Sequence, residues 1–362
     1  MLPRALYVHI PFCAHVCAYC DFPKVLFNEK LAFSYLERLK EEFLAQRIAL
    51  VETIYIGGGT PTSLPDALFE ELLAFLEPHL ANGGEFTVEA NPENLSITKL
   101  RLMRKYRVNR LSIGVESSQG ILLSLMGRKH TFADAQKAVD AAKKEGFSNI
   151  NCDLIYALPG ETDEELDLDL EALLSLDVPH LSTYCLSVNR GTSFFNRGFH
   201  EADDDVAAGQ YERILTRLRA SGYDRYEVSN FARPGFESRH NLTYWRDEEY
   251  YAVGMGASGY VGGVRFDNTR NLGSYLAGHP RGKDEVVTPE SDLTYFFLTN
   301  LRLEKGFELA HFEKLFGFSF LSRYEEKADK LVAEGLLKIS PESVSCSDRG
   351  LLILDRVLLA LI

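Results

Sequence analysis

The stretch LYVHIPFCAHVCAYCDF, residues 6–22, joins a β-rich run to three cysteines with the spacing C-x3-C-x2-C. The run LYVHI (6–10) predicts a short buried strand, and Cys13, Cys17 and Cys20 follow it within a few residues. Three thiols can hold three irons of a [4Fe–4S] cluster and leave the fourth iron for a ligand that is not protein. A structural zinc site normally uses four ligands, often as two C-x2-C pairs. The spacing therefore favours an iron–sulfur cluster over a zinc site or an incidental group of thiols.

The remaining cysteines give no second pair. Cys152, Cys185 and Cys346 occur singly, and the first two lie in apolar, strand-like stretches that predict small core residues. Six cysteines in 362 residues are also too sparse for a disulfide scaffold. No fourth cysteine ligand is evident, which again points to an open corner on the cluster.

Beyond the cysteines, strands and helices alternate along the first half of the chain. Helical periodicity fills the gaps between β-rich runs, as in residues 32–46 and 132–146. Such alternation predicts parallel βα units with right-handed crossovers, curved into a full or partial (β/α)6 barrel. Chemistry in such barrels lies at the carboxyl ends of the strands. The six β-rich runs are LYVHI (6–10), TIYIGG (53–58), EFTVEA (85–90), RLSIGVE (110–116), INCDLIYAL (150–158) and HLSTYCLSV (180–188).

Composition limits the classes of protein to consider. Hydrophobic residues make up 46% and charged residues 25% of the chain, as in ordinary globular proteins. No apolar run is long enough to span a membrane, and the N-terminus lacks the pattern of a signal peptide, so we expect a cytoplasmic protein. The net charge of −13 argues against a general nucleic-acid binder.

A glycine-rich loop and three carboxylates follow later strands. GGGTPT (57–62) ends the second predicted strand, where glycine lets backbone approach a ligand and free N–H groups can bind an anion. The same loop alone is compatible with a simple tight turn. Glu89, Glu116 and Asp153 lie on the third, fourth and fifth strands. Because the carboxyl ends of parallel strands meet at one rim, we expect these groups beside the cysteine loop.

The cysteine loop, GGGTP (57–61) and DLIYALPGET (153–162) together resemble the radical S-adenosylmethionine (SAM) superfamily. The similarity to its branch of oxygen-independent coproporphyrinogen III oxidases and heme chaperones extends over essentially the whole chain. The resemblance implies a [4Fe–4S] cluster on Cys13, Cys17 and Cys20, with the SAM amine and carboxylate on the fourth iron. In that superfamily, an electron from the cluster cleaves SAM to methionine and a 5′-deoxyadenosyl radical.

The resemblance implies roles for further residues. A glutamine is common in the family where this chain has Glu116, and a buried glutamate needs a partner for its charge or a shifted pKa. The residues that match contacts of the cluster-bound SAM are Tyr7, Gly58 and Glu89, and those that match a second SAM site of the oxidases are Gly59, Thr60, Arg128 and Asp153.

Two features favour the heme chaperones over the oxidases. The oxidases typically carry a further cysteine two residues after the third, where this chain has Phe22. The segment YEVSNFARPGFESRHNLTYW (226–245) contains H-N-x-x-Y as His240, Asn241 and Tyr244, a motif that the resemblance links to heme. Imidazole is a standard axial ligand of heme iron, so we predict a heme contact at His240. A loop histidine bonded to backbone is the alternative.

We therefore predict a heme chaperone that binds heme and passes it to an acceptor protein, with a [4Fe–4S] cluster, SAM and a reductant for the cluster. The alternative is an oxidase that decarboxylates two propionates of coproporphyrinogen III, so the sequence leaves open whether the chain is an enzyme. A SAM-binding scaffold without redox turnover is a third reading. Neither the acceptor nor dimerisation follows from the sequence.

Three domains are predicted. Residues 1–188 form the barrel, 189–280 close it and carry the heme-motif loop, and 292–362 form a small winged-helix-like α+β domain, after a linker-like stretch at 278–292. The last domain is predicted to end in a hairpin and one terminal helix over 349–362. It carries nine Lys/Arg against eleven Asp/Glu, so we interpret it as a structural or partner-docking domain.

Overall fold

A computed structural model describes residues 2–362 and contains the predicted barrel of parallel strands. Each strand is followed by at least one helix on the outside of the sheet, which confirms the predicted alternation. The barrel strands are β1 (Ala5–Ile10), β2 (Val51–Gly58), β3 (Leu80–Ala90), β4 (Arg110–Glu116), β5 (Asn149–Tyr156) and β6 (His180–Cys185). The helices among and after them are α1 (Glu29–Ala45), α2 (Asp66–Leu76), α3 (Ile97–Lys105), α4 (Gly120–Met126), α5 (Phe132–Lys144), α6 (Asp163–Ser175), α7 (Ser193–Asn196) and α8 (Asp204–Ala220).

Local sequence explains where these elements begin and why they are buried. Residues of β4 are buried at every position, as expected for a parallel strand covered on both faces. Helices α5 and α6 each start with a capping box, formed by Thr131 with Asp134 and by Thr162 with Glu165. These caps fix the turns that return the chain to the sheet.

Further strands extend the sheet on both sides. Strands β7 (Asp224–Glu227) and β8 (Asn230–Ala232) add antiparallel neighbours after β6, and β9 (Tyr251–Val253) pairs in parallel with β1. The strand order is β9-β1-β2-β3-β4-β5-β6-β8-β7, so the barrel is partial. Helix α9 (Arg239–Trp245) lies between β8 and β9 and carries the predicted heme motif.

The stretch predicted as a linker is structured instead. Residues Arg281–Val286 form a strand that pairs with Val264–Asn268, which itself pairs with Ser258–Val261. We number these β10 (Ser258–Val261), β11 (Val264–Asn268) and β12 (Arg281–Val286), with α10 (Leu272–Leu276) between the last two. The composition suggested a linker because this segment is short, exposed and charged. Only its pairing with β11 identifies it as a strand.

The C-terminal domain combines helices with a small antiparallel sheet, as predicted. The prediction of one terminal helix is wrong, because the backbone of Ile353 is not helical and divides the segment into two helices. The elements are α11 (Pro289–Asn300), β13 (Phe307–Glu308), α12 (Leu309–Phe316), α13 (Phe320–Ala333), β14 (Leu337–Ile339), β15 (Ser343–Cys346), α14 (Asp348–Leu352) and α15 (Leu354–Leu361).

The barrel and the C-terminal domain meet at β7. The side chain of Arg225 is fully buried and contacts carboxylates of Glu304 and Asp348. Glu227 forms an isolated antiparallel bridge with Leu303. The last strand of the large sheet is therefore covered by the C-terminal domain. In the described part of the chain, no helix combines the length and apolar character needed to cross a membrane.

Candidate functional site

The cysteine loop leaves the carboxyl end of β1 and is fixed at its base. Phe12–Cys13 pairs with Val25–Leu26, and the Phe27 amide donates to the Cys13 carbonyl at 2.9 Å. Cys13 is buried, whereas Cys17 and Cys20 are partly exposed, and all three thiols are free. Burial raises the pKa of Cys13 to about 11, so this thiol stays protonated until a metal displaces its proton.

The three cysteines line one cavity of about 370 Å³ at the carboxyl end of the barrel. Within residues 2–362, no three His, Cys, Asp or Glu side chains are arranged to hold a single metal ion. The structure brings ten of the fourteen sequence-predicted site residues to this cavity. They are Cys13, Cys17, Cys20, Gly58, Gly59, Thr60, Glu89, Glu116, Arg128 and Asp153.

The glycine loop after β2 forms a wall of the cavity that has no room for side chains. Gly58 has φ +112°, and a Cβ there would lie 2.5 Å from the His9 ring. A Cβ on Gly59 would lie 2.7 Å from the Pro11 backbone and 2.9 Å from the Cys13 sulfur. Glycine at both positions keeps the space beside the first cysteine open, as the family resemblance requires.

Glu89 reaches the cavity from β3 with its carboxylate already oriented. Tyr55 donates to Oε1 at 2.7 Å, and the Gly58 amide donates to Oε2 at 3.0 Å. Burial raises the pKa of Glu89, which these two hydrogen bonds partly oppose. A cationic ligand group in the cavity would stabilise the charged form of this carboxylate.

Glu116, the departure from the family pattern, has a partner for its charge. It occupies a left-handed backbone position, φ 67°, at an irregularity in the pairing of β4 with β5. Its Oε1 lies 3.7 Å from Arg128 Nη2 and accepts a hydrogen bond from Tyr19 at 3.1 Å. Burial alone would lower the pKa of Arg128, but the charge of Glu116 raises it overall. Arg128 Nη1 also lies 3.6 Å from the Cys17 sulfur.

Asp153 on β5 is the most perturbed carboxyl of the cavity. Asn151 donates to Oδ1 at 2.7 Å, and Ser112 lies 3.4 Å from Oδ2. Burial, together with the charges of Glu116 and Glu89, raises the pKa of Asp153 to about 7. Without a cation in the cavity, this group is therefore protonated in much of the protein at neutral pH.

The raised pKa predicts how Asp153 affects stability. The folded protein binds more protons than the unfolded chain between about pH 4 and 7, so stability falls as pH rises through that window. We expect Asp153→Asn to raise the free energy of unfolding at pH 8 by on the order of 2–4 kcal/mol and to have little effect at pH 4. Urea unfolding at both pH values measures this. The exposed Asp140→Asn is the control, and an equal effect of Asp153→Asn at both pH values would contradict the assignment.

Four predicted site residues lie outside this cavity. Tyr7, His240 and Tyr244 belong to an aromatic group inside the barrel. Asn241 lies in the first turn of α9, where its backbone amide donates a hydrogen bond to the capping hydroxyl of Ser238 at 3.2 Å. His240 is fully buried and stacks on Tyr55 with ring centroids 5.1 Å apart. The structure therefore separates the H-N-x-x-Y motif from the cysteine cavity, with Tyr55 between them.

Both ring nitrogens of His240 are hydrogen-bonded. Thr53 Oγ1 lies 2.8 Å from Nδ1, and Tyr244 Oη lies 2.7 Å from Nε2. Burial lowers the pKa of His240 to about 3, so the imidazole is neutral. Heme iron needs a free nitrogen lone pair, so this arrangement does not fit a heme ligand. Ligation at His240 stays a prediction that requires Tyr244 or Thr53 to move.

Sequence reasoning missed several residues of the cavity. Asn91 and Tyr184 line it from the ends of β3 and β6, where the rule about carboxyl ends of strands could have found them, and Ser112 lines it from within β4. The prediction that Cys185 is a core residue is wrong, because it is exposed and lines the cavity. Tyr55 shares the inner face of β2 with Thr53 and Gly57. Its contact with Glu89 could not be predicted from the sequence and is seen only in the structure.

Comparisons with known proteins show which family this chain resembles. The profile of the radical SAM superfamily matches residues 7–173, and that of the HemN C-terminal domain matches residues 287–353. The chain is 41% identical to the heme chaperone HemW of Lactococcus lactis, over 96% of this chain and 94% of that protein. It is 36% identical to the Bacillus subtilis heme chaperone HemW over 98% of each chain.

One solved structure resembles nearly the whole chain. It is the structure of coproporphyrinogen III oxidase HemN from Escherichia coli, described as a radical SAM enzyme. The two structures superpose with a TM-score of 0.87 over 99% of this chain and 90% of the HemN chain. The two sequences are 22% identical, so this likeness concerns the fold.

Proposed function

Because the chain belongs to the HemW family of heme chaperones within the radical SAM superfamily, we propose that it binds heme and delivers it to an acceptor protein. A [4Fe–4S] cluster on Cys13, Cys17 and Cys20 and a SAM on the open iron take part in this function. The observation that carries the proposal is the full-length similarity to relatives named heme chaperones, from the cysteine loop through the C-terminal domain. The geometry of the cysteine cavity supports the cofactors.

The residues of the cavity fit these cofactors. Three free thiols line one space, and Gly58 and Gly59 leave that space open. Among residues 2–362, the only other cysteine that lines it is Cys185, at the end of β6. When bound, such a cluster supplies a single electron to SAM. Glu89 is oriented to accept hydrogen bonds from the SAM amine, since its carboxylate is partly buried and held by Tyr55.

The carboxylates of the cavity determine how many cations it accepts. Three carboxyl groups line the cavity, those of Glu89, Glu116 and Asp153, but only one buried guanidinium does, that of Arg128. A sulfonium and an ammonium from SAM would offset this excess of negative charge and allow Asp153 to ionise. We propose that Gly59, Thr60, Glu116, Arg128 and Asp153 contact a second SAM or the outer part of the first.

Phe22 bears on the choice between chaperone and oxidase. It is 63% exposed and lines the cavity at the position where the oxidases carry a further cysteine. A phenyl ring supplies no proton or thiol to a substrate, but it offers an apolar surface to a porphyrin. This supports heme carriage over decarboxylation.

A direct assay tests the proposed function. Anaerobically reconstituted protein is incubated with dithionite, SAM and coproporphyrinogen III, and porphyrins are separated by chromatography. The same preparation is titrated with heme while its Soret band is recorded. We expect stable heme uptake and no decarboxylated product. Formation of protoporphyrinogen IX over many turnovers would replace the chaperone assignment by the oxidase.

His240→Ala should lower the stability of the protein. The substitution leaves a cavity inside the barrel and removes the hydrogen-bond partner of Thr53 and Tyr244. We expect a loss of about 2–4 kcal/mol in the free energy of unfolding, measured by urea unfolding of the heme-free protein. An unchanged unfolding curve would contradict the structural role.

Tyr244→Phe separates a structural role of His240 from heme ligation. The variant keeps the ring but frees Nε2 of His240 from its hydrogen bond. If iron binds this nitrogen, Tyr244→Phe should tighten heme binding, whereas His240→Ala should weaken it and shift the Soret band. Identical heme spectra and affinities in both variants and in the wild type would remove His240 as the ligand.

A further inference from the structure

Two segments of the barrel clamp the cysteine loop from outside the SAM cavity. The Ala18 amide donates to the Met126 carbonyl at 2.8 Å, at the end of α4, and the Ala18 carbonyl accepts from the Phe194 amide at 2.9 Å, in α7. Residues 13–20, 117–131 and 186–200 therefore form one continuous surface over the cysteines, which we name the cluster-loop face. Any protein that approaches the cluster from this side must contact it.

The segments of the cluster-loop face contain no acidic residue of their own, and Glu93, which reaches them from outside, lies against His15 at 3.3 Å and His130 at 3.4 Å. The three segments hold 38 residues without Asp or Glu, whereas the whole chain has 52 Asp and Glu in 362 residues, about one in seven. A chain of net charge −13 would otherwise repel a negatively charged protein at every point of its surface. These three segments are thus the part of the surface where repulsion of such a protein is weakest.

Exposed cations stand on this face without acidic partners. Lys129, Arg190 and Arg197 are exposed. In the part of the chain that the structure describes, none of the three lies within 4.0 Å of a carboxylate. Arg197 is held over the Phe199 ring at 4.8 Å from its centroid. These charges are therefore available to a partner and are not used in the fold.

Apolar side chains lie among the cations. Ile121 is 80% exposed, and Val16 and Phe195 are each 47% exposed. A cleft of about 450 Å³ opens here, and Cys17, Cys20 and Arg197 are among the residues that line it. Apolar contacts within a charged rim are typical of small, transient protein interfaces. The cleft brings such an interface next to two of the three cluster ligands.

We propose that the cluster-loop face is the docking site of a small acidic electron-carrier protein that reduces the cluster. The inference rests on the proposed function, since it takes Cys13, Cys17 and Cys20 as the cluster ligands. One electron leaves the carrier, which is oxidised, and enters the cluster, which is reduced by one electron, without transfer of a proton or group. Lys129, Arg190 and Arg197 attract the carrier, and the apolar residues form the contact.

The surroundings of the face define its limits. Asp21, just outside it, accepts a hydrogen bond from Asn189 at 2.9 Å. The run 201–205, EADDD, follows directly and places acidic residues at one border, where Glu201 accepts a hydrogen bond from the Val188 amide. An acidic carrier is therefore steered away from this border and toward the cations over the cleft.

The test compares two charge-reversal variants of the full-length, cluster-loaded protein. The first is Lys129→Glu/Arg190→Glu/Arg197→Glu. The second is a control with the same change of net charge, Lys144→Glu/Arg217→Glu/Lys338→Glu, whose residues are exposed and lie on α5, α8 and β14. The probe is a bacterial flavodoxin in its hydroquinone form. Stopped-flow absorbance at the cluster band measures reduction under anaerobic conditions.

We expect the second-order rate of reduction to fall at least ten-fold in the first variant and less than three-fold in the control. The wild-type rate should decrease with added salt, and the first variant should lose most of this dependence. Binding of oxidised flavodoxin to the cluster-free protein, followed by calorimetry, should weaken in parallel. Equal rates and affinities in the two variants would overturn the proposal.

Two further readouts separate this proposal from others. Dithionite should reduce the cluster fully in all three proteins, so absence of a reduced-cluster resonance signal in the wild type would reject the cluster assignment itself. If the first variant accepted electrons from flavodoxin at the control rate but failed to transfer heme to an acceptor, the face would belong to the acceptor. That result would overturn the electron-carrier proposal.

Discussion

A variant with Cys13→Ala, Cys17→Ala and Cys20→Ala should contain no iron–sulfur cluster after anaerobic reconstitution. The three thiols supply every cysteine sulfur of the loop, and the metal is bound by thiolate rather than by thiol. We expect complete loss of the absorbance near 400 nm and of the reduced-cluster paramagnetic resonance signal. Iron and sulfide analysis measures the same loss independently.

Cys185→Ala is the matched control for this variant. Cys185 lines the same cavity but comes from β6 and not from the cysteine loop. The control should load four irons per chain like the wild type. A full iron content in the triple variant, or stoichiometric zinc in the anaerobically prepared wild type, would contradict the assignment of the cluster ligands.

The second large effect is expected from Glu89→Ala on SAM affinity. The partly buried carboxylate is held by Tyr55 and by the Gly58 amide, so it faces the cavity in a fixed geometry. Hydrogen bonds to a charged group contribute roughly 1.5–3 kcal/mol of binding free energy. Because alanine cannot form them, we expect the dissociation constant of SAM to rise about 10- to 150-fold. Equilibrium dialysis with the cluster-loaded protein measures this change.

Two conservative variants identify the cause. Glu89→Gln keeps the shape of the side chain and removes its charge, so it should lose most of the affinity that alanine loses. Tyr55→Phe removes only the hydrogen bond to Oε1 and should raise the dissociation constant less than either. If Glu89→Gln binds SAM as tightly as the wild type, the carboxylate charge does not contact the ligand.

Much of the site follows from the rule that parallel strands end at one rim. That rule predicted the convergence of Cys13, Glu89, Glu116 and Asp153, because each lies on or just after a strand whose type was evident from its pattern. Arg128 could be placed only by resemblance, since it comes from the turn after α4 and not from a strand end. Its ion pair with Glu116 depends on a left-handed residue that no sequence pattern revealed.

The H-N-x-x-Y segment shows where sequence reasoning reached its limit. The motif was predicted to lie in a loop of the barrel-closing region, but Ser238 caps a helix whose first turn is buried at His240. The carboxylate of Glu85 on β3 accepts a hydrogen bond from the His240 amide at 3.0 Å and so fixes the position of this first turn. A contact between residues 155 positions apart cannot be read from local propensity, since it depends on how the sheet closes.

The burial of Arg225 beneath the C-terminal domain has a consequence for the behaviour of the chain outside its native state. A partial barrel leaves an outermost strand whose unpaired amides and carbonyls can recruit strands from other molecules, which is a route to aggregation. Here that strand is covered by Leu303, Glu304 and Asp348. Detaching the domain would expose this strand to solvent and separate the Arg225 guanidinium from both carboxylates. In the folded protein, the C-terminal domain therefore occupies the place where another molecule's strand would pair with β7.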